Sequence, residues 1–70
     1  MEKLKYFFDL FYKTLSNNPN YRIGQCYFNV LWEIDPELAN EIRGTEVDPF
    51  YLDKKIPDFL ETLAKKWENK

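Results

Sequence analysis

Apolar residues recur every three or four positions through most of this 70-residue chain, and asparagine-proline or aspartate-proline pairs interrupt the pattern. Such spacing places the apolar side chains of a segment on one face of a 3.6-residue helix. The interruptions are Asn18-Pro19, Asp35-Pro36 and Asp48-Pro49. Proline cannot continue a helix, and it pushes the residue before it out of helical geometry. No segment shows a convincing strand pattern, so we predict an all-α fold of one domain, residues 1–70.

Three of the predicted helices are defined by their apolar faces. The first covers residues 2–16, and the second covers residues 21–34. The last runs from Ile56 to Trp67. The second helix has an apolar arc of half its circumference or more, so we predict that it is the central helix. Gly24 within it costs about 1 kcal/mol relative to alanine, and close approach of another backbone would explain its presence.

A short helix and a structured loop complete the predicted domain. Asp35 as N-cap and Pro36 at the first helical position begin the short helix, and Gly44 ends it in the left-handed conformation. The loop spans residues 44–53. Within it, Asp48-Pro49 repeats the signal of a capping residue followed by proline, which predicts a single helical turn through Leu52. The expected fold is therefore a small four-helix domain, with one helix short.

Size and composition limit the ways in which this domain is stabilised. A chain of 70 residues lies near the lower limit for independent folding. It has one cysteine and no histidine, so an intrachain disulfide is impossible and a His/Cys metal site is disfavoured. Six Phe, five Tyr and two Trp are left to supply the core.

The same composition argues against catalysis. Cys26 falls on the apolar face of the second helix, where a buried, inert thiol is expected. A cysteine nucleophile needs a base, and no histidine is present to serve. Glycine-rich phosphate loops are absent, because the two glycines lie twenty residues apart. We therefore predict a protein without enzymatic activity, cofactor or metal.

The sequence also bears on the compartment in which the protein acts. We find no leader sequence and no apolar stretch of the roughly 20 residues that a membrane span needs. A lone cysteine is typical of proteins in a reducing environment. These features predict a cytoplasmic protein that does not enter a membrane.

Charge is unevenly distributed along the chain, although the net charge is only −2. Residues 33–53 contain seven acidic residues and one basic residue, whereas the remainder contains five acidic and nine basic residues. The acidic segment is either a solvated surface or a docking face for a basic partner. The basic ends suggest an alternative function, binding of nucleic acid by lysines of the terminal helices. Those lysines are Lys3, Lys5, Lys13, Lys65, Lys66 and Lys70.

Polar residues form a stripe along the second helix. Arg22, Gln25 and Asn29 lie on one line, with Trp32 at its edge. A structural interpretation is that Gln25 or Asn29 hydrogen-bonds to the backbone of the loop at residues 44–49, because loop amides and carbonyls need partners. A functional interpretation is a recognition surface, since Arg and Trp are favoured interface anchors. The two interpretations are compatible.

Part of the chain resembles a known sequence pattern. It reads Arg22-x-Gly24-Gln25-x-x-x-Asn29-x-Leu31, then Pro36-x-Leu38, then Ile42-x-Gly44-Thr45-x-x-Asp48-Pro49-Phe50-Tyr51-x-Asp53. This series resembles a group of small uncharacterised bacterial and phage-borne proteins, and the resemblance covers residues 22–53. It implies an intracellular accessory protein linked to a phage or mobile element, and it implies no activity.

We therefore expect a non-enzymatic helical module that binds another protein, with a host protein as a special case of the partner. The alternative is a small nucleic-acid-binding domain that uses the basic terminal helices, and nucleic acid is the less favoured partner. A homo-oligomer is compatible with either function. The predicted contact residues are Arg22, Gln25, Trp32, Glu46, Asp48, Phe50 and Tyr51.

Overall fold

Four α-helices account for most of residues 2–68, the part of the chain that the computed structural model describes. They are α1 (Glu2–Asn17), α2 (Ile23–Ile34), α3 (Pro36–Ile42) and α4 (Ile56–Glu68), and one turn of 3-10 helix (Asp53–Lys55) precedes α4. No strand occurs among the described residues. The predicted all-α fold is confirmed, with α3 as the short helix. Lys70 of the predicted basic patch lies outside the described residues.

The second helix is central, as its broad apolar arc predicts. α2 packs against α1 on one side and α3 on another, and it also contacts the 3-10 turn. Half of its residues are buried, among them Cys26, whose thiol is fully enclosed. The Cys26 sulfur lies 3.8 Å from the carbonyl oxygen of Phe11, and burial raises the pKa of the thiol. The expectation of a buried, protonated thiol at this position is confirmed.

Aromatic rings from three helices make the centre of the core. Tyr27 of α2 stacks on Phe11 of α1, with ring centroids 3.9 Å apart and planes 7° from parallel. Phe7 of α1 contacts Tyr27, Phe59 and Trp67, and its side chain is fully buried. Because Phe59 and Trp67 belong to α4, these rings join the first and last helices to α2.

One buried carboxylate connects three helices. Asp35 caps α3 as predicted, because its Oδ1 atom accepts a hydrogen bond from the Leu38 amide (3.2 Å). Its Oδ2 atom accepts hydrogen bonds from the Trp67 indole of α4 (2.9 Å) and the Lys3 ammonium of α1 (3.3 Å). Burial by itself would raise the pKa of Asp35, but the hydrogen bonds from Trp67, Leu38 and Lys3 and the charge of Lys3 outweigh it. The pKa is therefore lowered.

The charge separation seen along the sequence is reduced in three dimensions. Lys3 of α1 pairs with Asp35, and Lys66 of α4 lies 3.8 Å from Glu41 of α3. Lysines of both terminal helices thus face acids of the middle segment. The acidic segment and the basic ends are interleaved rather than presented as separate faces.

Candidate functional site

The loop between α3 and the 3-10 turn is folded around the side chain of Asp48. Its Oδ2 atom accepts a hydrogen bond from the Gly44 amide (2.8 Å), and its Oδ1 atom accepts one from the Phe50 amide (2.9 Å). Gly44 has a φ of 79°, so its predicted left-handed conformation after α3 is confirmed. The loop is therefore ordered by its own side chain, as an Asx turn is.

The predicted helical turn from Asp48-Pro49 through Leu52 is wrong. The carboxylate that would cap such a turn is used within the loop, and Leu52 has an extended backbone (φ −134°, ψ 110°). The single turn begins instead at Asp53. Asp48 illustrates how a short polar side chain offers the backbone an alternative to helix.

The loop docks on the first turn of α2 through Gly24. A Cβ atom on Gly24 would collide with the Pro49 carbonyl oxygen and would lie 2.9 Å from the Asp53 carboxylate. The Gly24 amide donates a hydrogen bond to the same Asp53 oxygen (3.0 Å). The prediction that Gly24 permits close approach of another backbone is confirmed. Asp53 also places a negative charge at the positive end of α2.

Arg22 provides the second attachment between α2 and the loop. Its guanidinium donates a hydrogen bond to the carbonyl oxygen of Phe50 (2.6 Å). The Gln25 side chain, in contrast, accepts from the Arg22 amide (3.4 Å) in a capping arrangement. The expectation that the amide of Gln25 or Asn29 attaches the loop is wrong, because Arg22 and the Gly24 amide make these hydrogen bonds.

A chain of aromatic rings extends from α2 onto the loop. Trp32 meets Phe28 edge to face, with centroids 6.2 Å apart, and Phe28 meets Phe50 in the same way at 6.1 Å. Phe50 in turn contacts Tyr51, with centroids 4.9 Å apart. Phe28 is buried, whereas the two ends are open to solvent, Trp32 at 37% and Tyr51 at 77% exposure. The docked loop thus converts separate aromatic residues into one continuous surface.

These rings enclose a pocket of about 190 Å³, which we call the aromatic pocket. Arg43 stands at its edge, with its guanidinium carbon 6.0 Å from the centroid of the Trp32 ring, at the limit of a cation–π contact. The pocket is lined by Phe28, Asn29, Trp32, Arg43, Asp48, Phe50 and Tyr51. Its walls combine large apolar faces with a few polar groups, as ligand and interface pockets do.

A second, more open pocket of about 460 Å³ lies beside the first. We call it the Glu33 pocket, after the one charged side chain in its lining. It shares Asn29 and Trp32 with the aromatic pocket, so these two residues form the wall between them. The lining residues are Thr14, Tyr21, Asn29, Val30, Trp32 and Glu33.

The structure brings together four of the seven predicted contact residues. Trp32, Asp48, Phe50 and Tyr51 line the aromatic pocket. Arg22 and Gln25 lie instead at the start of α2, where their hydrogen bonds hold the loop and cap the helix. Glu46 is exposed on the loop and does not line the pocket.

Sequence reasoning missed three residues of the aromatic pocket as contact candidates. Phe28 was assigned to the apolar arc of α2, and Asn29 was noted only as part of the polar stripe. Arg43 was expected at the end of α3 because a cation suits the negative end of a helix dipole. Its position over Trp32 depends on where α3 packs against α2, which residue spacing does not reveal.

Two further features of the described residues bear on chemistry. Within residues 2–68, no group of three or more His, Cys, Asp or Glu side chains is placed to hold a metal ion. No helix in that range has both the length and the apolar character needed to cross a membrane.

Comparison of the chain with family models, with curated proteins and with solved structures found no match.

Proposed function

We propose that this chain is a non-enzymatic protein-binding module and that the aromatic pocket is its contact surface. The observation that carries the proposal is the aromatic chain from Trp32 to Tyr51, which ends in two exposed rings around a pocket. Aromatic residues and arginine are enriched in the energetic centres of interfaces. Arg43 at the pocket edge adds the second residue type of that signature.

The way in which the loop is held supports the proposal. Tyr51 is 77% exposed, yet the residues around it are fixed by the Arg22–Phe50 hydrogen bond and by the two hydrogen bonds to Asp48. A surface that is ordered before binding loses less conformational entropy when a partner arrives. Exposure of a large ring on an ordered loop is therefore favourable for recognition and has no packing role within the chain.

The partner to seek first is a host protein. The resemblance of residues 22–53 to phage-borne proteins supports this choice, and it is compatible with a cytoplasmic location. A module of this size acts by covering a surface of its partner.

The ion pairs weigh against the nucleic-acid alternative. Of the lysines on the terminal helices, Lys3 pairs with Asp35, Lys65 with Glu61 and Lys66 with Glu41. Phosphate binding depends on uncompensated positive charge, and these pairs reduce it. A gel-shift series at low and physiological salt tests the alternative: a complex with steep salt dependence would favour it.

The proposal is tested by affinity capture from a lysate of the source cell or its host, followed by mass spectrometry. The test variant carries Trp32→Ala and Tyr51→Ala, which remove the two exposed ends of the aromatic chain. The control is Tyr6→Ala, which removes a ring of 59% exposure from α1. We expect one stoichiometric protein that is captured by the wild type and the control and lost with the test variant. Capture that is the same for all three chains would contradict the proposal.

Asp48 is not suitable for such a test. A charge reversal there would break the hydrogen bonds from Gly44 and Phe50, so lost binding would report a disordered loop. Circular dichroism of the Trp32/Tyr51 variant should retain the helical signal, because both side chains extend from the surface.

A further inference from the structure

The two pockets differ in charge, and this difference identifies the chemistry of the partner. We propose that they act together on one basic segment of the protein partner, with an apolar side chain in the aromatic pocket and a lysine or arginine side chain in the Glu33 pocket. This inference rests on the proposed function and specifies which partner segment the surface fits.

The aromatic pocket disfavours a second cation. The Arg43 guanidinium already lies over the Trp32 ring, so an incoming lysine or arginine would meet like charge. The carboxylate of Asp48 offers little compensation, because its two oxygens accept hydrogen bonds from the Gly44 and Phe50 amides. An apolar side chain, in contrast, finds the faces of Trp32 and Tyr51.

The Glu33 pocket has the opposite character. The Glu33 carboxylate is exposed, and among residues 2–68 it forms no ion pair. The hydroxyl of Thr14 and the side-chain amide of Asn29 line the same pocket, and both can accept a hydrogen bond from an ammonium or guanidinium. The ring of Tyr21 supplies an apolar wall along which the stem of a long basic side chain can lie.

The common wall places the two side chains close together on the partner. Asn29 and Trp32 line both pockets, so one side-chain thickness separates the sites. Neighbouring side chains of a single segment can therefore occupy them at the same time. The surface thus selects a short stretch that carries an apolar residue beside a basic one.

The test uses a yeast-displayed library of short random peptides, selected on the full chain and its variants. Glu33→Lys reverses the charge of the second pocket. Glu33 lies in the last turn of α2, where lysine suits the helix dipole, so this variant keeps its fold. The matched control is Glu68→Lys, which makes the same charge change at an exposed position of α4, outside both pockets. Tyr51→Ala reports on the aromatic pocket.

We expect the selected peptides to pair an apolar residue with lysine or arginine. Glu33→Lys should weaken their binding by on the order of tenfold and select acidic residues at the basic position. Tyr51→Ala should also weaken binding, and Glu68→Lys should leave it unchanged.

Two results would overturn the inference. Peptides that depend on Tyr51 but carry no basic residue, and that bind Glu33→Lys equally well, would refute it and leave the proposed function intact. A library that yields no Tyr51-dependent peptide would also refute it, and the proposed function would then depend on the lysate capture alone. Sedimentation of the unliganded chain covers a third result: a dimer that Tyr51→Ala dissociates would make a second copy the occupant instead.

Discussion

At the scale of single residues, Gly24 has the most restricted environment in the loop attachment. Its α-carbon faces the Pro49 carbonyl, and its amide bonds to Asp53. The need for glycine comes from space rather than from backbone conformation, because Gly24 lies inside the regular helix α2. Gly44 is the converse case. An added Cβ there would meet nothing within 4 Å, but its φ of 79° disfavours other residues.

Gly24→Ala should destabilise the protein by about 1–3 kcal/mol, the usual cost of an added group in a packed site. The gain in helix propensity, about 1 kcal/mol, offsets part of this cost. Urea unfolding followed by circular dichroism measures the change. Asn40→Ala, at an exposed position of α3, serves as control and should change stability by less than about 0.5 kcal/mol. Equal stability of the Gly24 variant and wild type would show that the loop does not approach this residue so closely.

At the scale of elements, the loop after α3 was the part that the sequence described least well. The helices follow from local information, namely apolar spacing and the capping of α3 by Asp35. The loop depends on competition. Asp48 followed by proline suits a helix start, but the amides of Gly44 and Phe50 lie within reach of its carboxylate and take it. Spacing gave no means of ranking these two uses.

The same limit applies to the candidate site. Trp32, Phe50 and Tyr51 were identified because large aromatic side chains at a helix edge and in a connection are unusual. Arg22 was assigned to recognition, yet it bonds to the Phe50 carbonyl 28 positions away. A contact over that separation is set by how the loop folds back on α2, and residue spacing carries no information about it.

Asp48→Ala should loosen the loop while the helices remain. The amides of Gly44 and Phe50 lose their acceptor, at a cost of about 1–2 kcal/mol. Hydrogen exchange monitored by NMR should show faster exchange at these two amides and unchanged protection within α2. Glu46→Ala is the matched control, because it removes an exposed acid from the same loop. Unchanged exchange at Gly44 and Phe50 in the Asp48 variant would mean that another interaction orders the loop.

At the scale of the whole molecule, the aromatic core and Asp35 hold the ends of the chain to its middle. Phe7 joins α1 to α4 through Phe59 and Trp67. Asp35 joins the same helices to α3 through hydrogen bonds from Trp67 and Lys3. A domain of 70 residues without an intrachain disulfide thus combines apolar burial with one shared carboxylate.

The pH dependence of stability should report on Asp35. Its pKa is lowered in the folded protein, because the hydrogen bonds and the charge of Lys3 outweigh burial. Its contribution is therefore complete above the unfolded pKa of about 3.9 and is lost as the pH falls through the lower folded pKa. Asp35→Asn should lower stability at neutral pH and flatten the decline in acid. Urea unfolding between neutral and acidic pH measures both effects.

Asp9→Asn provides the comparison for that experiment, because Asp9 is exposed on α1. This variant should keep the pH profile of the wild type. If Asp35→Asn and Asp9→Asn gave the same profile, the acid sensitivity would arise elsewhere, and Asp35 would not be the carboxylate that couples the helices.

The central claim is that a protein partner binds at the aromatic pocket, and mapping the complex by NMR tests it most directly. The labelled chain would be titrated with the protein captured from lysate while amide and indole signals are recorded. The account predicts that the largest shifts fall on Asn29, Trp32, Arg43 and Tyr51, with the signals of Tyr6 and Tyr12 on α1 unchanged. Shifts centred on the exposed face of α1, with Trp32 and Tyr51 unaffected, would contradict it.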